Sequence, residues 1–542
     1  MPLYLGFDSS TQSLTAIVLD IDGDRRRIVF QSSLLFDEAL PRYGTRHGVL
    51  PHPDPSIAQS SPLMWAEALD LMMARVSQSG VELGRLAAIA GSAQQHGSVY
   101  LNGGATAALG GLDSRNQIVG QLAHALSRSV APIWMDSSTS VECAELTQAA
   151  GGSEALAKRT GSRAFERFTG PQIRKFYKQD PAAYAATDRV HLVSSFLASL
   201  LVGGHAPLDA GDGSGMNLMD LRTSDWWQAA LDATAPDLLA RLPPIRPASA
   251  VAGALSPYWQ RRYGFPAAKV IAWSGDNPSS LIGTGLVREG LIAISLGTSD
   301  TIFGLMLEPR VDTTGTGHVF GAPTGAYMGL TCFSNGSLAR ESVRDAFALT
   351  WDGFSRMLDA TPPGNDGRIL LPWFVPEITP AVAMPGVRRY GLDESNGPGH
   401  VRGIVEAQQM ALALHSRWMG VEINTIYATG GAAANRAILQ VMADVFGADV
   451  YQLDVGNTAC LGAALRAFHG HVTAEGRSIG WDEVVREIAV PDLATLIRPD
   501  PARHAVYGEL MPIYAECEAH ALGCGPDPAE SLAHFRSHLV KR

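Results

Sequence analysis

A short polar turn near the start of the chain combines the groups that phosphate chemistry requires. Asp8 ends an apolar run and is followed by Ser9, Ser10, Thr11 and Gln12. Consecutive backbone N–H groups in a tight turn between strands form an anion site, to which hydroxyls add donors, and a neighbouring carboxylate suits Mg²⁺. We therefore predict that Ser10, Thr11 and Gln12 bind phosphate oxygens. Asp8 is predicted to bind Mg²⁺ and to take part in catalysis.

A second turn of the same kind occurs about 290 residues later. Residues 291–296 and 301–307 are rich in strand-forming side chains, and Gly297, Thr298 and Ser299 lie between them. A single polar turn is more often an ordinary loop, whereas two in equivalent places indicate two similar domains that face each other. We predict that these three residues also bind phosphate. The pattern leaves the role of the following Asp300 undecided.

Other well-known nucleotide and catalytic motifs are missing from the sequence. No GxxxxGK[ST] pattern occurs, so the phosphate loop of P-loop enzymes is excluded. Gly283-Thr-Gly285 and Gly315-Thr-Gly317 lack the spacing of a dinucleotide fingerprint, and neither GxSxG nor HExxH is present. A dehydrogenase, a serine hydrolase and a zinc enzyme are therefore disfavoured.

Alternating strands and helices must position these turns. The chain opens with strand-like runs at residues 3–7, 14–20 and 26–36, followed by a predicted helix at 62–79 and a buried strand at 86–90. Helices are predicted to dominate from there to about residue 201, including a buried helix within 191–204. Later, helix 401–419, strand 425–428, helix 435–446, strand 450–453 and helix 459–467 alternate. This alternation predicts βαβ units with parallel strands, and residues 491–542 are predicted to form a peripheral helical extension.

Composition limits the class of protein. A chain of 542 residues is too long for one ordinary core, so two large domains are expected, and 46 % hydrophobic with 18 % charged residues fits a soluble α/β protein. The net charge of −11 argues against binding to nucleic acid or to an anionic membrane. The five scattered cysteines show no metal-binding spacing, and the start of the chain resembles no signal peptide. We expect a cytoplasmic protein with a small-molecule partner.

Six short motifs spread along nearly the whole chain resemble those of the FGGY carbohydrate kinases. The resemblance implies an α/β fold with two ribonuclease H-like (actin-like ATPase) domains around a central cleft. Residues 1–275 would form the N-terminal domain, 276–490 the C-terminal domain and 491–542 the extension. The motifs are Gly6-Phe-Asp-Ser-Ser-Thr-Gln12, Ser92-Ala-Gln-Gln-His-Gly97, Trp134-Met-Asp-Ser-Ser-Thr139, Glu166-Arg-Phe-Thr-Gly170, Gly275-Asp-Asn277 and Asn335-Gly-Ser-Leu338.

The resemblance also implies a general base at Asp209, in the segment 208–216. A carboxylate beside a sugar hydroxyl can accept its proton while the oxygen attacks phosphorus. Asp212, three residues further on, competes for this role, but the family register favours Asp209, and an Asp-Gly turn that caps a loop explains Asp212 better.

By the same resemblance, the sugar contacts are His96, Gln95, Arg167, Asp276 and Asn277. The strand before Gln95 and His96 is predicted to end at the edge of a sheet where ligands bind in α/β proteins. Simpler structural roles exist for the others. Arg167 would pair with its neighbour Glu166 on the surface. Asp276 would bind magnesium or help to cap a helix that Pro278 begins, with Asn277 before the proline as a natural N-cap.

The nucleoside is expected to bind at residues 428–435. This Gly-Gly segment follows a predicted strand and opens a helix, so the backbone can approach a ligand closely. By resemblance to the family's adenosine motif, Gly430, Gly431 and Ala432 would line the α-phosphate and ribose, and Asn435 would reach adenine. A plain strand-to-helix turn is the simpler alternative.

Taken together, the resemblance implies an ATP-dependent kinase for a ketopentose, with D-xylulose and its 5-phosphate as the favoured substrate and product. Ribulose, sedoheptulose and glycerol are alternative substrates, because family members share the phosphate machinery and differ in few pocket contacts. A non-kinase actin-like ATPase is an alternative of another class. The expected cofactors are ATP and Mg²⁺, and the expected partners are a sugar and MgATP, with no nucleic acid and no membrane.

Overall fold

In a computed structural model, which describes residues 1–23, 25–453 and 456–539, the chain forms two central β-sheets covered by helices. The seven-stranded first sheet has the order Val251–Ala254, Lys269–Ile271, Leu86–Ala93, Leu3–Ser9, Ser13–Asp22 and Arg25–Leu35, and Ser274–Gly275 also pairs with Leu86–Ala93. The six-stranded second sheet has the order His318–Gly321, Tyr327–Phe333, Asp300–Met306, Leu291–Leu296, Thr425–Thr429 and Asp449–Gln452.

The two sheets share one topology. In each sheet the central strand is Leu3–Ser9 or Leu291–Leu296. It pairs antiparallel with the next strand of the chain on one side and parallel with a later strand on the other. The central strands are almost wholly buried, as expected of strands covered by helices on both faces. The α/β architecture and the repeat predicted from the two polar turns are therefore confirmed.

Helices cover both sheets and fall close to the predicted positions. The longer helices are Pro62–Gln78, Ser140–Ala149, Ser153–Thr160, Thr169–Gln179, Val193–Val202, Asp276–Gly283, Ser337–Ala346, Trp351–Ala360, Gly397–His415, Arg436–Phe446, Thr458–Ala474, Pro501–Ala521 and Ala529–Leu539. Within the described residues, no helix has the length and apolar character needed to span a membrane. All five cysteines are free thiols.

One stretch predicted as helical contains a pair of strands. Ser98–Asn102 pairs antiparallel with Thr187–Leu192, and the predicted buried helix begins at Val193. Strand pairing between segments this far apart leaves no local signal, so the neighbouring helical periodicity dominated the interpretation.

The C-terminal segment is less peripheral than predicted. Helix Pro501–Ala521 contributes Tyr507, Leu510 and Tyr514 to the main hydrophobic core of the second domain. Three large apolar side chains in that core make this helix an integral part of the domain rather than a surface addition. Residues 540–542 of the predicted extension lie outside the described residues.

Two crossing helices connect the domains. Asp276–Gly283 and Thr458–Ala474 pack backbone to backbone at Gly283 and Gly462. A Cβ atom on Gly462 would collide with the carbonyl oxygen of Ser279. The longer helix follows the second sheet in the chain but packs on strand Leu3–Ser9 of the first, so it belongs to both halves of the molecule.

This contact predicts the effect of adding one methyl group. Gly462→Ala is expected to lower the free energy of unfolding by about 1–3 kcal/mol, because neither backbone can move away without displacing its sheet. Gly508→Ala is the matched control, since Gly508 lies exposed in helix Pro501–Ala521 with open space at its Cβ position. The control is expected to be neutral or stabilising by about 0.4–1 kcal/mol. Equal urea midpoints for the two variants would contradict the close crossing.

Candidate functional site

The first polar turn closes the hairpin between Leu3–Ser9 and Ser13–Asp22. The backbone N–H of Ser10 donates to the carbonyl oxygen of Ser13 at 2.9 Å, and the two hydroxyls are 3.0 Å apart. Ser10 and Thr11 are half-buried and Gln12 is exposed, so the turn is accessible. The indole N–H of Trp134 donates to the Thr11 hydroxyl at 2.7 Å. This contact gives a position to Trp134, for which the sequence suggested no role.

Asp8 and Asp276 form a pair of half-buried carboxylates. Asp8 is the penultimate residue of the central strand and accepts a hydrogen bond of 2.6 Å from the Ser92 hydroxyl on the parallel strand. Burial raises the pKa of Asp8 to about 6 despite this bond. Burial, followed by the negative charge of Asp8, raises the pKa of Asp276 to about 7. Two neighbouring acids with raised pKa values are typical of a site that binds a cation or transfers protons.

Asp276 lies in the first turn of helix Asp276–Gly283, and its neighbours are joined in one network. The Asn277 amide donates to the Gln95 side-chain oxygen at 2.8 Å and to the Asp276 carboxylate at 3.2 Å. Gln95 in turn donates to the carbonyl oxygen of Gly211 at 3.3 Å. The helix is capped by Gly275, so Asn277 is not the N-cap that the sequence offered as an alternative.

His96 is held as a neutral acceptor. Its Nδ1 atom is 2.7 Å from the carbonyl oxygen of Gly215, which can only accept, so Nδ1 carries the proton and Nε2 a lone pair. Burial, followed by the positive charge of Arg167, lowers the pKa of His96 to about 3. The ring stacks on Phe168 at 4.3 Å between centroids. Its φ of 72° is unusual for a residue other than glycine and is typical of a functional position.

Arg167 faces the second domain instead of pairing on the surface with Glu166. It donates through Nη2 to Nε2 of His318 at 3.0 Å, and its guanidinium lies 4.9 Å from the Phe165 ring centre. His318 belongs to the edge strand of the second sheet. Arg167 therefore lies where the two domains meet.

Asp209 is buried inside the first domain. Its Oδ1 accepts from the backbone N–H of Asp212 and from the Ser274 hydroxyl, each at 2.9 Å, and its Oδ2 lies 3.5 Å from the Arg466 guanidinium. Both carboxylate oxygens thus already have protein partners, and the residue is 0 % exposed. Burial raises its pKa, and Arg466 opposes that shift.

Asp212 is equally buried and lies in the short helix Ala210–Gly213, which Asp209 caps. The Ser194 hydroxyl donates to its Oδ2, while its Oδ1 is buried without a hydrogen-bond partner within the described residues. Burial, followed by the charges of Asp209 and Asp276, raises its pKa well above the usual range. Asp212 is therefore held neutral and away from solvent.

The second polar turn is built differently around its acid. Thr298 and Ser299 are exposed, whereas Asp300 is 2 % exposed and accepts two hydrogen bonds from Arg340, at 2.9 and 3.2 Å. A buried carboxylate paired in this way supports the hairpin rather than binding a ligand. The Ser337 backbone N–H donates to the carbonyl oxygen of Gly297 at 2.8 Å, which fixes the turn against the following helix.

A cavity of about 630 Å³ opens beside this turn. Gly430, with a φ of 86°, packs so closely on the backbone of Leu296 that a Cβ atom would lie 2.7 Å from its carbonyl oxygen. Gly431, Ala432 and Asn435 line one wall of the cavity. Its volume falls in the usual range for pockets that hold a nucleotide-sized ligand.

Asn435 joins the two walls of the cavity. Its Oδ1 caps helix Arg436–Phe446, and its amide donates to the Ser355 hydroxyl at 2.8 Å. Ser355 and Trp351 lie on helix Trp351–Ala360 and form the opposite wall. Sequence reasoning missed both, because no motif marks them and only the fold brings this helix to the Gly-Gly turn.

Seven of the predicted residues thus gather beside the first sheet, around the carboxylate pair or at its edge: Asp8, Gln95, His96, Arg167, Asp209, Asp276 and Asn277. The predicted nucleoside residues lie with the second turn beside the second sheet. One wall therefore offers acids and polar groups, and the other offers a turn and a cavity. This division fits a two-substrate reaction in which a phosphorylated compound and a small polyol meet in a cleft.

Comparisons with known proteins agree with this division. Residues 125–283 match the model of the FGGY family of carbohydrate kinases, N-terminal domain, and residues 292–471 match its C-terminal domain. The xylulose kinase of Rattus norvegicus is 44 % identical over 538 residues, which cover 97 % of this chain and 98 % of that protein. Xylulose kinase 2 of Arabidopsis thaliana is 42 % identical over 492 residues, 86 % of this chain and 87 % of that protein.

Solved structures share the fold. The xylulose kinase from Rhodospirillum rubrum superimposes with a TM-score of 0.79 at 22 % identity, covering 96 % of this chain and 99 % of that one. The glycerol kinase of Plasmodium falciparum with ADP superimposes with a TM-score of 0.73 at 16 % identity, covering 93 % of this chain and 96 % of that one. The likeness confirms the two-domain architecture inferred from the sequence.

The raised pKa of Asp276 predicts a pH-dependent stability. An acid whose pKa is higher in the folded than in the unfolded chain stabilises the fold at low pH, and this contribution is lost as the pH rises through the folded-state value of about 7. Asp276→Asn cannot ionise, so its melting temperature relative to the wild type is expected to increase by several degrees from about pH 5 to about pH 8.

Glu154→Gln is the control, because Lys158 lowers the pKa of this exposed carboxylate. The difference in melting temperature between Glu154→Gln and the wild type is expected to stay constant over the same pH range. A melting-temperature difference between Asp276→Asn and the wild type that does not change with pH would contradict the raised pKa of Asp276.

Proposed function

The chain belongs to the FGGY family of carbohydrate kinases, and we propose that it uses ATP to phosphorylate D-xylulose to D-xylulose 5-phosphate. Relatives named xylulose kinase match it at 42–44 % identity over most of its length. The observation that carries the mechanism is the half-buried Asp276 carboxylate, with a pKa raised to about 7, beside the side-chain amides of Asn277 and Gln95.

The sugar pocket would use groups with complementary roles. His96 accepts from a sugar hydroxyl through Nε2, because Nδ1–H is already committed to Gly215. Arg167 donates to a hydroxyl or to the keto oxygen, and Asn277 and Gln95 hold the network beside Asp276. A sugar lacking one matching hydroxyl leaves a buried group unpaired, which costs about 1–3 kcal/mol and gives selectivity.

ATP would lie across both domains. The backbone N–H groups and hydroxyls of Ser10, Thr11 and Gln12 and of Gly297, Thr298 and Ser299 would bind the phosphate chain from two sides. The adenosine would occupy the 630 Å³ cavity, with ribose and α-phosphate near Gly430, Gly431 and Ala432 and the base near Asn435. Trp351 is placed to pack on the base from the opposite wall.

The carboxylates fit a magnesium ion that arrives with the nucleotide. Within the described residues no three His, Cys, Asp or Glu side chains form a metal site, but Mg²⁺ bound through phosphate oxygens needs only one or two carboxylates. Burial is the main cause of the raised pKa of Asp276 and the negative charge of Asp8 the next, and a cation would relieve the repulsion between the two carboxylates. Asp8 would hold the ion, whose charge offsets that of the phosphates.

We assign the proton acceptor to Asp276 in place of the predicted Asp209. During in-line transfer the sugar oxygen attacks the γ-phosphorus, the bond to the bridging oxygen breaks, and ADP leaves. The hydroxyl proton passes to a carboxylate, which works best with a pKa near the operating pH. Asp276 is half-buried and has such a pKa, whereas Asp209 is fully buried with both oxygens occupied.

Asparagine variants distinguish the proposed roles of Asp276 and Asp209. Asp276→Asn is expected to lower kcat by about 10²- to 10⁴-fold while the affinity for ADP stays unchanged, because only the proton acceptor is lost. Asp209→Asn is expected to lower the melting temperature, since Arg466 loses its counter-charge, and to reduce kcat by less than about tenfold. Normal turnover in Asp276→Asn together with a collapse in Asp209→Asn would return the role to Asp209.

The substrate is tested with a sugar panel. ADP release with MgATP is expected to be fastest with D-xylulose and slower with D-ribulose, sedoheptulose and glycerol, because a sugar that lacks or misplaces a hydroxyl leaves a polar group of the pocket unpaired. Product mass should increase by one phosphoryl group. ATP hydrolysis that is independent of every sugar offered would favour a non-kinase ATPase and refute the proposal.

A further inference from the structure

We propose that His318 is a positioning residue that orients Arg167 for the sugar, so that a side chain of the second domain completes the sugar pocket of the first. The inference rests on the proposed function, in which Arg167 contacts the sugar. Both nitrogen atoms of His318 have partners. Nε2 lies 3.0 Å from Nη2 of Arg167, and Nδ1 lies 3.1 Å from the Ser162 hydroxyl.

These partners fix the protonation state of the ring. A guanidinium can only donate hydrogen bonds, so Nε2 of His318 must carry a lone pair. The proton therefore resides on Nδ1 and is donated to the Ser162 hydroxyl. Burial, followed by the positive charge of Arg167, lowers the pKa of His318 well below its usual range, which keeps the ring neutral.

The guanidinium of Arg167 is otherwise held loosely. Within the described part of the chain, the bond to His318 is its one hydrogen bond, although the group stacks on Phe165. Stacking fixes the plane of the guanidinium but not its rotation within that plane. An acceptor at one Nη atom fixes this rotation and leaves the other N–H donors for a ligand.

His318 itself is set by docking of the domains. It begins strand His318–Gly321, whose Val319 N–H donates to the carbonyl oxygen of Gly161 and whose Gly321 N–H donates to the Ser214 hydroxyl, both at 2.9 Å. Its ring is 1 % exposed and packs 4.6 Å from the centre of Phe165. The orientation of Arg167 therefore depends on contact between the domains.

This arrangement predicts a selective effect on sugar binding. His318→Phe keeps the ring volume but removes the acceptor, so the KM for sugar should rise about tenfold or more, as expected when a hydrogen bond to a charged group is lost. The KM for ATP should stay within about twofold, because the nucleoside cavity shares no residue with this contact. His318→Gln places an oxygen near the Nε2 position and should recover most of the affinity.

A double-mutant cycle tests the coupling directly. If His318 acts through Arg167, the variant Arg167→Met/His318→Phe should have the same sugar KM as Arg167→Met alone. If the two substitutions multiply each other's effect on the sugar KM, or if His318→Phe has a normal sugar KM, the inference is overturned, whereas the proposed kinase function is not affected. A normal sugar KM in Arg167→Met would also overturn it, whereas a wild-type enzyme inactive on every sugar would refute the proposed function.

A second variant covers the case in which His318→Phe does not fold. Ser162→Ala removes the hydrogen-bond partner of Nδ1, so the ring loses the contact that fixes its rotation, and Nε2 is no longer held in place beside Arg167. We expect a severalfold rise in sugar KM with an unchanged KM for ATP. An unchanged sugar KM in Ser162→Ala would then overturn the inference.

Discussion

One buried guanidinium ties the two halves of the chain together behind the site. Arg466, on the helix that follows the second sheet, donates to the carbonyl oxygens of Gly91 at 3.1 Å and Ala272 at 2.6 Å in the first domain. A buried cation without partners is very unfavourable, so these acceptors and Asp209 are constrained to remain around it. Gly91 and Ala272 directly precede the segments that carry His96 and Asp276. The relative position of the sugar-binding groups and the catalytic acid therefore depends on this contact.

The same contact gives different roles to Asp209 and Asp276, which the sequence alone does not distinguish. Asp209 neutralises Arg466 in the interior, whereas Asp276 lies half-buried at the start of a helix. Asp8 and burial together then raise the pKa of Asp276 to a value useful at neutral pH. One acid thus stabilises the fold, and the other is free to receive a proton.

The sequence was informative where chemistry and local structure coincide. The polar turns at Asp8 and Gly297, the strand end at His96 and the Gly-Gly turn at Gly430 could all be predicted, because each is defined by neighbouring residues. Arg466 and His318 could not, since their partners Asp209 and Arg167 lie 257 and 151 residues away along the chain. Only tertiary packing decides which acid is buried against a cation and which arginine meets a histidine across the domain interface.

A crystal structure with D-xylulose and a non-hydrolysable ATP analogue tests the central claim most directly. The account predicts that the terminal sugar hydroxyl lies within hydrogen-bond distance of the Asp276 carboxylate, that the phosphate chain lies between the two polar turns, and that Asp209 remains bonded to Arg466. A sugar hydroxyl bound instead to an exposed Asp209, with Arg466 displaced, would contradict it.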